Sequence, residues 1–224
     1  MTADPARIMV WDWAVRLVHW LMVILVPLLW WTAEEGYMDW HRRLGLTMVG
    51  LVLFRLIWGF IGSWTARFVP MLRRIGSLRS YIYKLWAREH RPTFGHSPLA
   101  VFGVLALLGA LATQVATGLF SVDIDGLESG PLAILVSFET GRQFAELHEL
   151  NFNLLAALIG LHVTAIAVYH FVLKERLFKP MVTGHRSRAD FSAEELPENR
   201  LRPIPMIAAA ILSLACVMFI LDFG

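Results

Sequence analysis

His148 and His162 lie fourteen residues apart in LHELNFNLLAALIGLHVTAIAVYH (147–170), which carries no Asp, Glu, Lys or Arg after Glu149. On an α-helix, fourteen steps of about 100° and about 1.5 Å bring the two side chains within roughly 40° of one face and roughly 21 Å apart. The stretch is long and apolar enough to cross a hydrocarbon layer about 30 Å thick, so the two imidazoles point the same way near opposite surfaces. Ionisable groups inside a membrane are costly and are usually kept for function. A neutral imidazole is a metal ligand, and in particular an axial ligand of haem iron. The spacing therefore predicts two stacked haems, one near each surface. That arrangement requires two further histidines on other helices, at matching depths.

The elements that would position them are membrane helices. The chain is 57% apolar and 17% charged, with nine Trp, fourteen Phe and a mean hydropathy of +0.57, a composition of membrane rather than soluble domains. Five spans emerge: Trp13–Thr32, His41–Ile61, Pro98–Phe120, His148–Leu173 and Ile204–Leu221. Pro27 is expected to bend the first. The predicted fold is an all-α integral membrane protein, a four-helix transmembrane bundle binding two haems plus a fifth C-terminal transmembrane helix. Residues 1–180 form the bundle, 181–203 a polar cytoplasmic linker and 204–224 the extra helix, which looks like an appendage. A lone cysteine, Cys216, excludes an intrachain disulfide, a thiolate iron–sulfur cluster and covalent CxxCH attachment, so any haem is held non-covalently. The first apolar run is long, interrupted by Arg16 and His19 and without a small-residue cleavage site, and is read as a retained anchor. The net charge of +2 says little about partners, because the placement of charge matters more; no nucleic-acid partner is expected.

Charge placement sets orientation. The segment between spans two and three carries Arg67, Arg73, Arg74, Arg79, Lys84, Arg88 and Arg91; that between spans four and five carries Lys174, Arg176, Lys179, Arg186, Arg188, Arg200 and Arg202. The other two connections are dominated by Glu34, Glu35, Asp39, Asp123, Asp125, Glu128, Glu139 and Glu146. The positive-inside rule puts the N-terminus in the cytoplasm and the C-terminus outside. Ser77–Glu89 reads equally as a short interfacial helix, with Tyr81, Tyr83 and Trp86 at headgroup level, or as a solvated loop.

In this topology the histidines sort into two layers. His19 and His162 share the cytoplasmic side; His41 and His148 open their spans at the outer surface. The others have plainer readings: His90 and His185 solvated in basic loops, His96 capping or interfacial. His170 competes with His162, but lies about 80° further round the helix and fits less well in angle and depth. If it acts, it would hydrogen-bond a propionate or a quinone. Arg16, one turn before His19, and Arg55, at the same depth, are assigned to the propionates of the cytoplasmic-side haem. Arg42 and Arg43 are assigned to the outer haem or to lipid headgroups. Gly45, Gly50, Gly109, Gly118 and Gly160 could admit a flat macrocycle or a neighbouring helix.

These stretches (VWDWAVRLVHW around His19, WHRRLGLTMVGLVLFRLIWG around His41 and Arg55, GHSPLAVFGVLALLGALATQVATGLF and LHELNFNLLAALIGLHVTAIAVYH) resemble the bacterial di-haem b-type cytochromes. That is the cytochrome b561 group, which includes the cytochrome b subunits of nickel–iron hydrogenases and relatives of the formate dehydrogenase membrane subunit. The resemblance covers most of residues 8–175. It implies two bis-histidine b haems, His19 with His162 and His41 with His148, the pairing reached from depth. It also implies a quinone site near the cytoplasmic-side haem.

The expected function is electron relay between the quinone pool and a periplasmic redox partner, such as a dehydrogenase, a hydrogenase subunit or a c-type cytochrome. Quinone oxidoreductase activity, direction of flow and homo-oligomerisation stay open. The outer segment Ser121–Leu147 reads equally as a dock for the partner or a cap over the outer haem. Rival readings are a stand-alone quinone reductase fed by a diffusible donor such as superoxide, a haem-free transporter or proton channel, and a structural anchor.

Overall fold

The computed structural model describes residues 7–87, 89, 91–191 and 196–222. In chain order the elements are β1 (Arg7–Met9), α1 (Trp13–Glu34), α2 (Met38–Ile61), α3 (Phe68–Leu72), α4 (Leu78–Trp86), α5 (Pro98–Phe120), α6 (Phe138–Phe171), α7 (Phe178–Thr183), β2 (His185–Ser187) and α8 (Pro203–Leu221), joined by short 3-10 turns. Among the described residues five helices, α1, α2, α5, α6 and α8, are long and apolar enough to cross a membrane. At most 28% of the most apolar window of any of them is buried within the protein. Apolar surface on that scale calls for lipid as its solvent, with each backbone hydrogen bond satisfied inside its own helix.

The helices α1, α2, α5 and α8 coincide with the expected spans to within three residues, and α1 continues through Pro27. The helix α6 does not: it begins at Phe138, ten residues before the expected start at His148. Ser137 caps it, its hydroxyl accepting from the Thr140 N–H at 3.2 Å. Glu139, Arg142 and Glu146 in its first turns hide it from a hydropathy reading. At about 1.5 Å per residue its 34 residues span about 51 Å, more than the hydrocarbon thickness, so one end projects beyond it. His148 accordingly sits in the third turn of α6 rather than opening a span. Much of the expected outer segment is thus helix. The remaining connection, 121–137, folds back on itself: Val122 bridges to Ser129, and the Leu132 N–H donates to the Leu119 carbonyl at 2.8 Å.

The chain packs into two compact units that share the long helices. The first comprises Met1–Leu17, Ile57–Leu105 and Leu161–Met206. Here β1 pairs antiparallel with β2, Arg7 opposite Ser187 and Met9 opposite His185. The described residues of the segment read as a linker, 181–191 and 196–203, are therefore tied to the rest of this unit. The Asn199 amide donates to the Val10 carbonyl at 2.9 Å and to Thr65 Oγ1 at 3.0 Å, and Arg202 donates to the Ile61 carbonyl at 3.0 Å. Val10, Phe94 and Phe191 form a small core beside Trp11 and Trp64. The segment with two readings is helix α4: Tyr81 turns inward to meet the Tyr169 hydroxyl at 2.7 Å, while Tyr83 and Trp86 are exposed. Burial, reinforced by that hydrogen bond, pushes the Tyr81 phenol well above its ordinary range.

Asp12 organises this unit. It is fully buried at the N-terminus of α1, where Oδ1 accepts from the Val15 N–H at 2.8 Å and Oδ2 accepts from Trp58 Nε1 at 3.1 Å and from the Ser63 hydroxyl. The carboxylate caps the helix and faces the positive end of its dipole.

The second unit comprises Val18–Leu56, Ala106–Gly160 and Ile207–Gly224. Its core is Leu25, Met48 and Val52, with Leu29, Leu111 and Val115 against them. The helix α8 touches α2 within this unit: Ala209 and Ser213 are buried, and a Cβ on Gly50 of α2 would lie 3.4 Å from Val217.

Asp12→Ala leaves three buried donors without their acceptor and is expected to cost about 2–4 kcal/mol, read as a lower thermal midpoint in detergent. Ser63→Ala, which removes one of the three bonds, should cost about 1 kcal/mol.

Candidate haem site

The second unit brings His41 and His148 face to face. His41 is in the first turn of α2 and His148 is on α6; their ring centres are 6.3 Å apart, with planes at 78°. A nitrogen-bound metal sits about 2 Å from each imidazole nitrogen and the ring centre about 1 Å behind it, so two rings on opposite sides of one ion have centres about 6 Å apart. The observed spacing fits a single metal held between the rings. No group of three or more His, Cys, Asp or Glu side chains suited to a metal occurs among the described residues. Two axial donors fit a metal whose other ligands come from a macrocycle.

Each ring is held from behind by the same device. His41 Nδ1 lies 3.0 Å from the Leu29 carbonyl oxygen, and His148 Nδ1 lies 2.9 Å from the Gln114 carbonyl oxygen. A carbonyl only accepts, so Nδ1 carries the hydrogen in both rings and Nε2 keeps its lone pair for a metal. The same two carbonyls accept a threonine hydroxyl from one turn further on, Thr32 at 3.0 Å and Thr117 at 3.1 Å. Both threonines are buried. Asn151, one turn beyond His148, donates to the Ala110 carbonyl at 2.9 Å and to Gln114 Oε1 at 2.6 Å. Gln114 thus holds α6 twice, by its backbone at His148 and by its side chain at Asn151. Gly118 makes room: a Cβ there would stand 2.8 Å from His148 Cε1.

A family model described as prokaryotic cytochrome b561 matches residues 10–184. The chain belongs to this family. No curated protein and no solved structure matches it. Family and fold together make it a multi-pass bacterial membrane protein, a cytochrome b that binds b-type haem and works in electron transfer. The match ends before α8, so the fifth span lies outside the family's matched region.

The remaining expected residues of this cytochrome are placed as follows. His19 is half-buried in the second unit, its ring edge-on to Trp20; His162 is exposed in the first unit. Their pairing rests on the depths read from the sequence. Arg16 donates to the Val182 carbonyl, so part of its guanidinium anchors the turn ahead of Gly184. Its Nε is buried with no hydrogen-bond partner among the described residues, which leaves a donor that a carboxylate could use. Arg55 is half-buried on α2. Arg42 is committed to Asp39 at 2.6 Å and Glu128 at 3.0 Å, and Arg43 lies over the Trp40 ring. Protein contacts therefore account for both arginines assigned to the outer haem.

Among the other histidines, His96 packs against Trp11, while Ser97 provides the cap of α5. His170 is exposed beside Phe171, His185 is exposed in β2, and His90 lies outside the described residues. Sequence reasoning missed Thr32, Gln114, Thr117 and Asn151. Their only signal was position, a threonine three residues after each carbonyl and an amide three residues after His148.

Gly118→Ala must displace the His148 ring and is expected to weaken haem retention about ten-fold. A Cβ at Gly109 meets nothing within 4 Å, so Gly109→Ala should leave retention unchanged. Haem-to-protein absorbance ratios during detergent dilution compare the two.

Proposed function

We propose that this cytochrome carries two b haems, each held by two histidines, and relays electrons between a quinone in the membrane and a periplasmic redox protein. The observation that supports the reading is the His41–His148 pair, two imidazoles spaced for one metal and held through Nδ1 by backbone carbonyls, so that both Nε2 atoms keep their lone pairs. Haem iron with both axial positions filled supplies outer-sphere, one-electron transfer and leaves no open site for substrate chemistry.

The protein's own part is placement and electrostatics. α1, α2, α5 and α6 form the haem-bearing bundle; α8, without a histidine, supports it from outside. His41 and His148 serve the periplasmic-side haem, and His19 and His162 the cytoplasmic-side haem. Arg16, through its buried Nε, and Arg55 offer donors to the latter's propionates. The excess of Arg and Lys in the connections after α2 and α6 supports an N-terminus in the cytoplasm and a C-terminus in the periplasm. Quinone exchanges electrons near the cytoplasmic-side haem, as the family resemblance implies. The periplasmic partner docks on the connection 121–137, whose Ile124, Leu127 and Ile134 are exposed. Membership of a cytochrome family speaks against the haem-free transporter.

A pyridine haemochrome assay on the purified chain should give two b haems. His41→Ala and His148→Ala should each remove the same one, and His19→Ala and His162→Ala the other. One haem per chain, or loss of the same haem from His148→Ala and His162→Ala, would contradict the two-layer wiring.

A further inference from the structure

Away from the histidine pair, the first unit contains a cavity of about 490 Å³ whose wall includes Arg7, Arg176, Lys179, Pro180 and Arg186. The four cations come from four segments: β1, the turn after α6, α7 and β2. The antiparallel pairing of β1 with β2 and the left-handed turn at Gly184 (φ 82°) bring Arg7 and Arg186 to one place from opposite ends of the sequence. Arg186 is neutralised, by Glu175 at 2.8 Å and Asp190 at 3.2 Å. Arg7, Arg176 and Lys179 form no ion pair among the described residues. The positive-inside rule accounts for basic residues in these connections, but not for their convergence on one concavity.

We propose that this cavity binds the phosphate of an anionic phospholipid. Guanidinium forks pair with phosphate oxygens, and the four cations set against the two carboxylates Glu175 and Asp190 leave an excess of two positive charges, which suits a ligand of one or two negative charges. The volume falls within the range of about 300–1,000 Å³ typical of small-ligand sites. The surroundings favour a lipid over a soluble anion. Phe171, the last residue of α6, Val172 and Phe178 are 68%, 69% and 60% exposed. Arg176 follows Phe171 by only five residues, so the cationic wall begins where an apolar, membrane-facing surface ends. A phospholipid phosphate sits at that boundary, with its acyl chains against the apolar side chains.

Native mass spectrometry of the delipidated, full-length cytochrome tests this with added phosphatidylglycerol, phosphatidylcholine or inorganic phosphate. The expected result is one tightly held phosphatidylglycerol per chain and weak binding of phosphatidylcholine. An Arg176→Gln/Lys179→Gln double variant should bind phosphatidylglycerol about ten-fold more weakly. Arg200→Gln, whose side chain is exposed and paired with Glu198, should bind as the unaltered chain does. Equal binding by the double variant and the unaltered chain, or of the two lipids, overturns the proposal. Full competition by millimolar inorganic phosphate overturns the lipid as source and leaves a soluble-phosphate site. On the unaltered chain, a photoactivatable phosphatidylglycerol should label residues 171–187; labelling confined to other segments also overturns it.

Discussion

Two backbone carbonyls, those of Leu29 and Gln114, hold the centre of the second unit together. Each takes the Nδ1 hydrogen of one histidine and a threonine hydroxyl from its own helix, so it is saturated within a membrane helix where water is scarce. The direction of the hydrogen bond settles the tautomer, and the tautomer settles which nitrogen is left as a ligand. Thr32 and Thr117 donate back into their own helices, to the Leu28 and Thr113 carbonyls as well, and their hydroxyl oxygens lie 3.5 Å and 3.2 Å from the Nδ1 atoms of His41 and His148, where they can share the same N–H. The protein's own hydrogen bonds fix the rings, which lowers the ordering cost of binding a metal.

The helices around that centre follow from the same scarcity of water. Several polar side chains inside the spans are paired: Asn151 with Gln114 and the Ala110 carbonyl, Ser213 with the Ala209 carbonyl, and Arg42, toward the helix end, with Asp39 and Glu128. In the first unit the buried carboxylate of Asp12 does for the start of α1 what the carbonyls do for the rings. It closes three donors at once and ties α1 to the end of α2 and the turn beyond it.

Much of this was legible in the sequence, because the strongest signals were local. Hydropathy located α5 to the residue and α1, α2 and α8 closely, and the topology put His41 and His148 at the same surface. What escaped depended on partners far along the chain. Thr117 is an ordinary helix threonine until His148, 31 residues on, is seen beside it; Asp12 is one acid among several until Trp58 and Ser63 are seen to donate to it. The strands β1 and β2 have three residues each, too few for a period-two pattern, so 181–203 read as a tether. The charged first turns of α6 read as loop because hydropathy marks the hydrocarbon and not the helix. Gly118 could not be told from Gly45 or Gly109 by sequence; only the position of the His148 ring separates them.

In the proposed wiring His41 and His148 would hold one haem between two rings that lie nearly perpendicular to each other. Electron paramagnetic resonance of the oxidised cytochrome tests it most directly, because perpendicular axial imidazoles give a strongly anisotropic low-spin signal and parallel ones do not. With planes at 78°, the unaltered protein should show that signal, and in the His162→Ala variant, which keeps only the His41–His148 haem, it should persist. Its absence from haem-replete His162→Ala protein, or an unchanged spectrum in His148→Ala, would contradict the claim.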